Sequence, residues 1–202
     1  MGILNGQMTV RRYAVQGEVP DGFRDKYVEA LNAHAFREPF SKVKKEEIEG
    51  WCQVHNLLDT DFTDINQWLY NHYALFCLRV DKKVLPAKLF KATLEKRVQE
   101  WCTAHAKERC PRGDRDEIKD LLEIEMLKSC LPRVQTIEVC WNLAEGWLLF
   151  HSHSAGANDR LRKLFLNTFG LKLVPQNPLD MLGDEALESA VEHTGGSNWS
   201  AV

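Results

Sequence analysis

The apolar positions of this chain change their period several times, and each change predicts an element. Residues 6–15, GQMTVRRYAV, are rich in β-branched side chains and lie between Gly6 and Gly17, which predicts a strand. In 21–36, Phe23, Tyr27, Ala30, Leu31 and His34 recur at helical spacing behind Asp21, a residue suited to capping. Residues 37–49 are charged and aperiodic, and 50–58, GWCQVHNLL, suit a short strand and turn. Residues 73–80, YALFCLRV, are apolar on both faces, as a central strand is.

Pro86 then opens a long helix, a position where the missing N–H costs nothing. Phe90, Leu94, Val98, Trp101 and His105 are spaced to build one buried stripe, with Lys88, Lys91 and Glu95 on the opposite face. Pro111 and Gly113 break the pattern. A second helix is expected from about Asp114 to Cys130. Its apolar residues (Ile118, Leu121, Leu122, Ile124, Met126 and Leu127) surround much of its girth, as in a helix embedded in a core or touching a partner.

After Pro132 the period becomes two. Ile137, Val139 and Trp141 share one face, and Thr136, Glu138 and Asn142 the other. LAEG (143–146) suits a hairpin turn, and WLLFHSHS supplies the return strand. A helix through NDRLRKLFLNTF stops at Gly170, and LKLVPQ forms a last short strand. The mixture predicts an α+β fold of antiparallel sheets with long helices rather than a doubly wound one.

A chain of 202 residues suits one large domain or two small ones. Its apolar runs are too short to span a bilayer, and its N-terminus lacks the pattern of a secretory signal, so a cytoplasmic protein is expected. Its six cysteines form no C-x-x-C pair and read as buried free thiols. Net charge is −3, but it is unevenly distributed. Residues 1–81 carry 9 basic and 12 acidic side chains, residues 82–175 carry 17 and 12, and residues 176–202 carry none and 5. The middle segment, at +5, is the one candidate footprint for a polyanion. The acidic, Gly/Ser-containing end predicts a flexible tail over 183–202.

Enzymatic chemistry finds little support in the motifs. Cys102, His105 and Cys110 lie close in sequence, but a structural zinc site takes four ligands and no second pair stands at a suitable spacing. His151 and His153 share a strand face without a third ligand. Asp59, Asp61 and Asp64 read as a turn segment. No nucleophile elbow, P-loop or dinucleotide fingerprint is present, so neither an enzyme nor a cofactor or metal is expected. Nucleic acid remains. Lys88, Lys91, Lys96, Arg97, Lys107, Arg109, Arg112 and Arg115 do not form one stripe, since Lys96 and Arg97 leave the face of Lys88. A duplex interface would therefore be assembled from several elements or from two subunits. Its contacts would go to phosphate, giving salt-dependent affinity with little sequence reading.

The stretch RVDKKVLPAKLFKATLEKRV (79–98), with its Lys83-Val84-Leu85-Pro86 junction and Thr93-Leu94-Glu95 element, resembles the bacterial recombination-associated RdgC family. So do LKSCLPR (127–133), the strand-turn-strand that follows, LKLVPQNPLDML (171–182) and Gly50-Trp51, in the family's order over residues 6–182. The resemblance implies a non-enzymatic DNA-binding region over 1–182, with two subdomains split near 80 and rejoined near 134. It implies binding to duplex DNA, and to single strands too, by a ring-shaped homodimer lined with positive charge. It further implies a nucleoid-associated protein that restrains RecA-type strand exchange. Lys83 and Arg133 match family positions, whereas Gln135 stands where the family can carry a phenylalanine. Lys88, Lys91, Lys96, Arg97, Arg109, Arg112 and Arg115 complete the expected DNA contacts. Typical members continue into a C-terminal region that helps build the ring, whereas this sequence runs into its acidic stretch. The alternative is a protein-interaction module with the same fold that has lost DNA binding.

Overall fold

The computed structural model describes residues 9–38 and 47–177. The start of the first expected strand, most of the charged stretch before Glu47 and the acidic tail lie outside the described residues. The elements run β1 (Arg11–Gln16), α1 (Phe23–Ala33), β2 (Ile48–Cys52), β3 (Leu69–Tyr70), β4 (Tyr73–Lys82), α2 (Ala87–Ala104), α3 (Arg112–Ser129), β5 (Arg133–Asn142), β6 (Trp147–Phe150), α4 (Ala155–Phe169) and β7 (Lys172–Pro175). The strands form one sheet in the order β2-β4-β5-β6-β1-β7, with β3 beside β4. Every pairing between named strands is antiparallel, so the fold is α+β as expected.

Period-two alternation explains the core. Tyr13, Ala74, Phe76, Leu78, Val80, Ile137, Val139, Trp141, Leu148 and Phe150 point to one face and are buried. Onto that face pack α1, through Tyr27 and Leu31, and α4, through Leu161, Leu164 and Phe165. The centre is aromatic: Trp141 meets Phe165, Phe169 and Tyr27 with ring centroids 5.1–5.4 Å apart. Trp51 Nε1 donates to Thr168 Oγ1 at 2.8 Å and Tyr13 Oη donates to Asn158 Oδ1 at 2.5 Å, whereas the buried Tyr27 Oη and Trp141 Nε1 have no hydrogen-bond partner among the described residues.

The expected central strand is β4, buried along nearly its whole length. Its second face holds a polar arrangement that the apolar run concealed. Arg79 and Asp81 are both buried, and the guanidinium donates to both carboxylate oxygens at 2.9 and 2.7 Å. The same guanidinium donates to Leu57 O and lies 3.9 Å from the Phe36 ring centroid. Beside it, Cys52 and Cys77 are partners across the β2–β4 ladder. Their thiols are hydrogen-bonded, which holds Cys52 below its ordinary pKa and pushes Cys77 up.

Three expectations change. The N-cap of α1 is Gly22, in the left-handed region at φ 67°, and no side chain caps that end, so Asp21 does not serve there. β6 stops at Phe150, which leaves His151 and His153 beyond the strand. No residue of α2 is fully buried: Phe90, Leu94, Val98 and Trp101 are half-buried and His105 is exposed. The stripe exists, but one neighbouring helix covers it instead of a core.

Gly50 is held by contact. A Cβ there would lie 2.5 Å from Phe36 Cα and 2.6 Å from Phe36 N, both backbone atoms of a segment that runs parallel to β2 and is hydrogen-bonded to it at Trp51. Backbone cannot swing aside as a side chain can. Gly50→Ala should lower unfolding free energy by about 1–3 kcal/mol in urea titrations followed by tryptophan fluorescence. Gly113→Ala, with nothing within 4 Å of the added methyl, should lose no stability.

Candidate nucleic-acid interface

β4 and β5 pair over their full lengths, from Tyr73↔Asn142 to Lys82↔Arg133. The chain leaves the sheet after Lys82 and re-enters at Arg133, and between these points α2 and α3 form a helical hairpin packed mainly on itself. Leu122 and Leu127 are buried within it, and Arg97 Nη2 bonds Glu125 Oε2 across it at 2.7 Å. Trp101 is stacked on His105 at 4.1 Å, with Lys107 Nζ 5.3 Å from its ring centroid. The outer surface keeps Leu89 and Leu121 each 57% exposed.

The nine expected contacts fall on this hairpin and its root, in two stations. At the root stand Lys83, Lys88, Lys91 and Arg133, beside the junction of α2 with the sheet. At the far end Arg109, Arg112 and Arg115 surround the turn between the helices. An 18-residue helix separates the stations by roughly 27 Å. Lys96 and Arg97 lie between them.

Three of the nine already have protein partners. Lys83 Nζ donates to Leu127 O at 2.6 Å. That carbonyl is in the last turn of α3, where intrahelical donors run out, so Lys83 caps the helix. Arg97 holds Glu125, and Lys96 Nζ lies 3.9 Å from Glu100 on an exposed face. Lys88, Lys91, Arg109, Arg112, Arg115 and Arg133 are exposed and form no ion pair among the described residues.

The placement of Lys88 and Lys91 carries physical information. Both lie in the first turns of α2, which has no acidic residue in its first turn and no side-chain cap. A helix N-terminus already carries partial positive charge and unfilled N–H groups, so cations there oppose helix stability and favour an anion. At the far end, Arg109 and Arg115 help line a cleft of about 650 Å³ with Val98, Gln99, Cys102, Thr103, Glu108 and Cys110.

The other candidates dissolve into structure. His105 turns its Nδ1 to Trp101 O at 2.9 Å and stacks on that indole, so it does not join Cys102 and Cys110. Asp59, Asp61 and Asp64 bind backbone two residues on, at Asp61 N, Thr63 N and Asn66 N, as turn residues do. Hydrogen bonds from Thr63 hold the Asp61 carboxyl below the usual range. Among the described residues no group of three or more His, Cys, Asp or Glu side chains is placed to hold a metal ion. No helix among them is long and apolar enough to cross a membrane.

Reasoning from the sequence passed over the Arg79–Asp81 pair and the convergence of Arg162, Lys163 and Lys172 between α4 and β7. The first is hidden because its aromatic partner, Phe36, lies far away in the chain. The second depends on which strand ends the sheet.

Fold and site together define an α+β protein whose antiparallel sheet carries a helical hairpin of mixed charge with exposed cations at both ends. Residues 11–183 match the model of a family described as "Putative exonuclease, RdgC". The chain belongs to the RdgC family. No curated protein matches it.

The division between engaged and free cations is testable. Lys83→Ala should cost about 1 kcal/mol of unfolding free energy, because it strips a charged donor from a helix-end carbonyl. Lys88→Ala, with no ion-pair partner to lose among the described residues, should stay within about 0.5 kcal/mol of the parent in the same urea titration.

Proposed function

We propose that the protein binds duplex DNA without sequence preference, through phosphate contacts made by the helical hairpin, and does so as a homodimer without cleaving the DNA. The observation that carries the reading is that six of the expected contacts, Lys88, Lys91, Arg109, Arg112, Arg115 and Arg133, are exposed and form no ion pair among the described residues. Long, flexible cations on an exposed hairpin suit phosphates, which give affinity but no base recognition. The two stations, roughly 27 Å apart, reach over most of a duplex turn of about 34 Å. Membership of the RdgC family supports DNA as the target but not the absence of cleavage, since that family is described as "Putative exonuclease, RdgC". The expected consequence of binding is nucleoid association and restraint of RecA-type strand exchange by occupation of DNA. Exposed apolar side chains at separate points of the hairpin, Leu89, Leu121 and Ile124, are available for contact with a second subunit.

A second reading, a protein-interaction module without DNA affinity, draws on the cations already engaged. Lys83, Lys96 and Arg97 have partners within the hairpin, and beside it Lys82 and Arg160 both bind Glu47. Removal of these charges from the free pool leaves the hairpin less cationic than its sequence suggests.

The deciding experiment is fluorescence anisotropy with two unrelated duplexes over a salt series, alongside light scattering for mass. Six phosphate contacts on one engaged subunit predict a slope of log K against log salt near about −5 and a loss of about 10³-fold between 50 and 200 mM salt, and about twice that slope if both subunits engage the duplex. Both duplexes should bind alike. Charge reversal at Arg112, Arg115 and Arg133 together should reduce the slope by about 3 per engaged subunit. Absence of binding at low salt would leave the second reading. Release of mononucleotides from end-labelled duplex with magnesium present, lost on no other change than this protein's omission, would overturn the non-enzymatic assignment.

A further inference from the structure

The sheet ends at β7, which among the described residues pairs only with β1. Two bonds fix which way its peptide groups face. Gln176 N–H donates to Arg12 O at 3.0 Å, and Val15 N–H donates to Gly146 O at 2.8 Å. In β1, therefore, Arg12, Ala14 and Gln16 address β7, while the alternate residues address β6. Through the register Ala14↔Val174 and Gln16↔Lys172, the peptide groups of Lys172 and Val174 are the ones answering β1. Those of Leu173 and Pro175 face outward. The outer edge thus offers Leu173 N–H, Leu173 C=O and Pro175 C=O, and proline removes the next donor.

One stripe of α4 overhangs this edge. Asp159, Arg162, Lys163 and Leu166 are spaced at three, four and seven residues from the first, so they share a helix face. With Lys172, Leu173 and Val174 they line a groove of about 550 Å³. Three cations face one carboxylate there, and Asp159 lies 3.7 Å from Arg162. Apolar footholds stand on both sides, with Leu166 42% and Val174 38% exposed.

We propose that this groove takes an extended acidic peptide segment of a partner protein, added to the sheet as a strand along β7. The edge supplies main-chain hydrogen bonds, and the cations select acidic side chains. Leu166 and Val174 accept aliphatic side chains on the two faces of the added strand. A nucleic-acid backbone would use the cations but neither the strand edge nor the apolar positions, so the combination favours peptide. Arg162 and Lys163 lie on the α4 side and Lys172 on the other. Both faces of the peptide strand must therefore carry acidic as well as aliphatic residues. The assignment does not depend on DNA binding by the hairpin.

The test uses the full chain and a fluorescein-labelled octapeptide of alternating Glu-Glu and Val-Val pairs, read by anisotropy. Saturable binding is expected, weakened about tenfold or more by Lys163→Glu or Lys172→Glu. It should be lost when the peptide's valine amides are methylated, and absent when Lys replaces Glu in the peptide. Circular dichroism of each variant guards against unfolding. Equal binding of the methylated peptide, or equal competition by an octamer of deoxythymidylate, would show charge adhesion alone and overturn the strand-addition proposal. A variant with Asp180, Asp184, Glu185, Glu188 and Glu192 changed to their amides supplies the remaining arm. Peptide binding seen only in that variant would make the chain's own acidic segment the occupant and overturn the partner assignment, as would no binding in either protein.

Discussion

The β4–β5 ladder is the pairing on which the rest of this structure depends. It runs from Tyr73↔Asn142 to Lys82↔Arg133 without interruption, and both strands contribute the core's central side chains. A slip of one residue would turn Ile137, Val139 and Trp141 out of the core and bring Thr136, Glu138 and Asn142 in. Burial therefore fixes the register, and the register fixes Lys82 opposite Arg133. Everything between those two residues must leave and return at one point, which is why α2 and α3 are an antiparallel hairpin rooted at the ladder's end. The hairpin lacks comparable burial: α2 has no fully buried residue, and α3 has two. Its opening free energy should accordingly be lower than that of the sheet, the usual property of an element that meets a partner.

The same geometry sorts the cations. Several near the sheet are bound: Arg79 to Asp81 inside it, and Lys82 and Arg160 to Glu47 at its rim. Hydrogen bonding from Lys82, reinforced by Arg160, holds the Glu47 carboxyl below the ordinary range. On the hairpin and at its root, six of the nine expected contacts form no ion pair among the described residues. A buried or half-buried charge needs a partner to offset lost hydration, whereas an exposed one keeps its water and needs none. The excess positive charge of the middle segment is not confined to the hairpin, however: residues 83–132 carry 11 basic and 9 acidic side chains, and the rest of the +5 lies on Lys82 and residues 133–175.

How much of this was legible follows from the range of the interactions involved. The alternation at 137–142, the proline that opens α2 and the glycine that stops α4 are local signals, and the elements formed there. The turn at Asp59, Asp61 and Asp64 was legible because each carboxylate acts two residues away. The stripe from Phe90 to His105 was half legible. Periodicity tells which face is apolar, but the amount of cover on that face depends on what packs against it, here a single helix. Arg79 was illegible within YALFCLRV because its environment comes from Phe36, Leu57 and Asp81 together. Gly50 likewise looked like part of a motif, and only the adjacent backbone of Phe36 shows the reason for it. Lys83 matched a family position, yet its observed contact is with a helix-end carbonyl.

The topology also decides whether the hairpin and the α4–β7 groove interfere. β7 lies three strands from β5 in the sheet order, a spacing of roughly 14 Å at about 4.8 Å per strand. The screening length at physiological salt is about 8 Å, so charge at the hairpin's root is largely invisible at the groove. A polyanion held by Arg133 and Lys88 would leave the potential around Lys163 and Lys172 nearly unchanged. Competition between the two surfaces would then require direct steric overlap or a shared acidic segment. Without either, the proposed acidic peptide and nucleic acid would bind with independent affinities, and substitutions in one surface should add to those in the other without coupling.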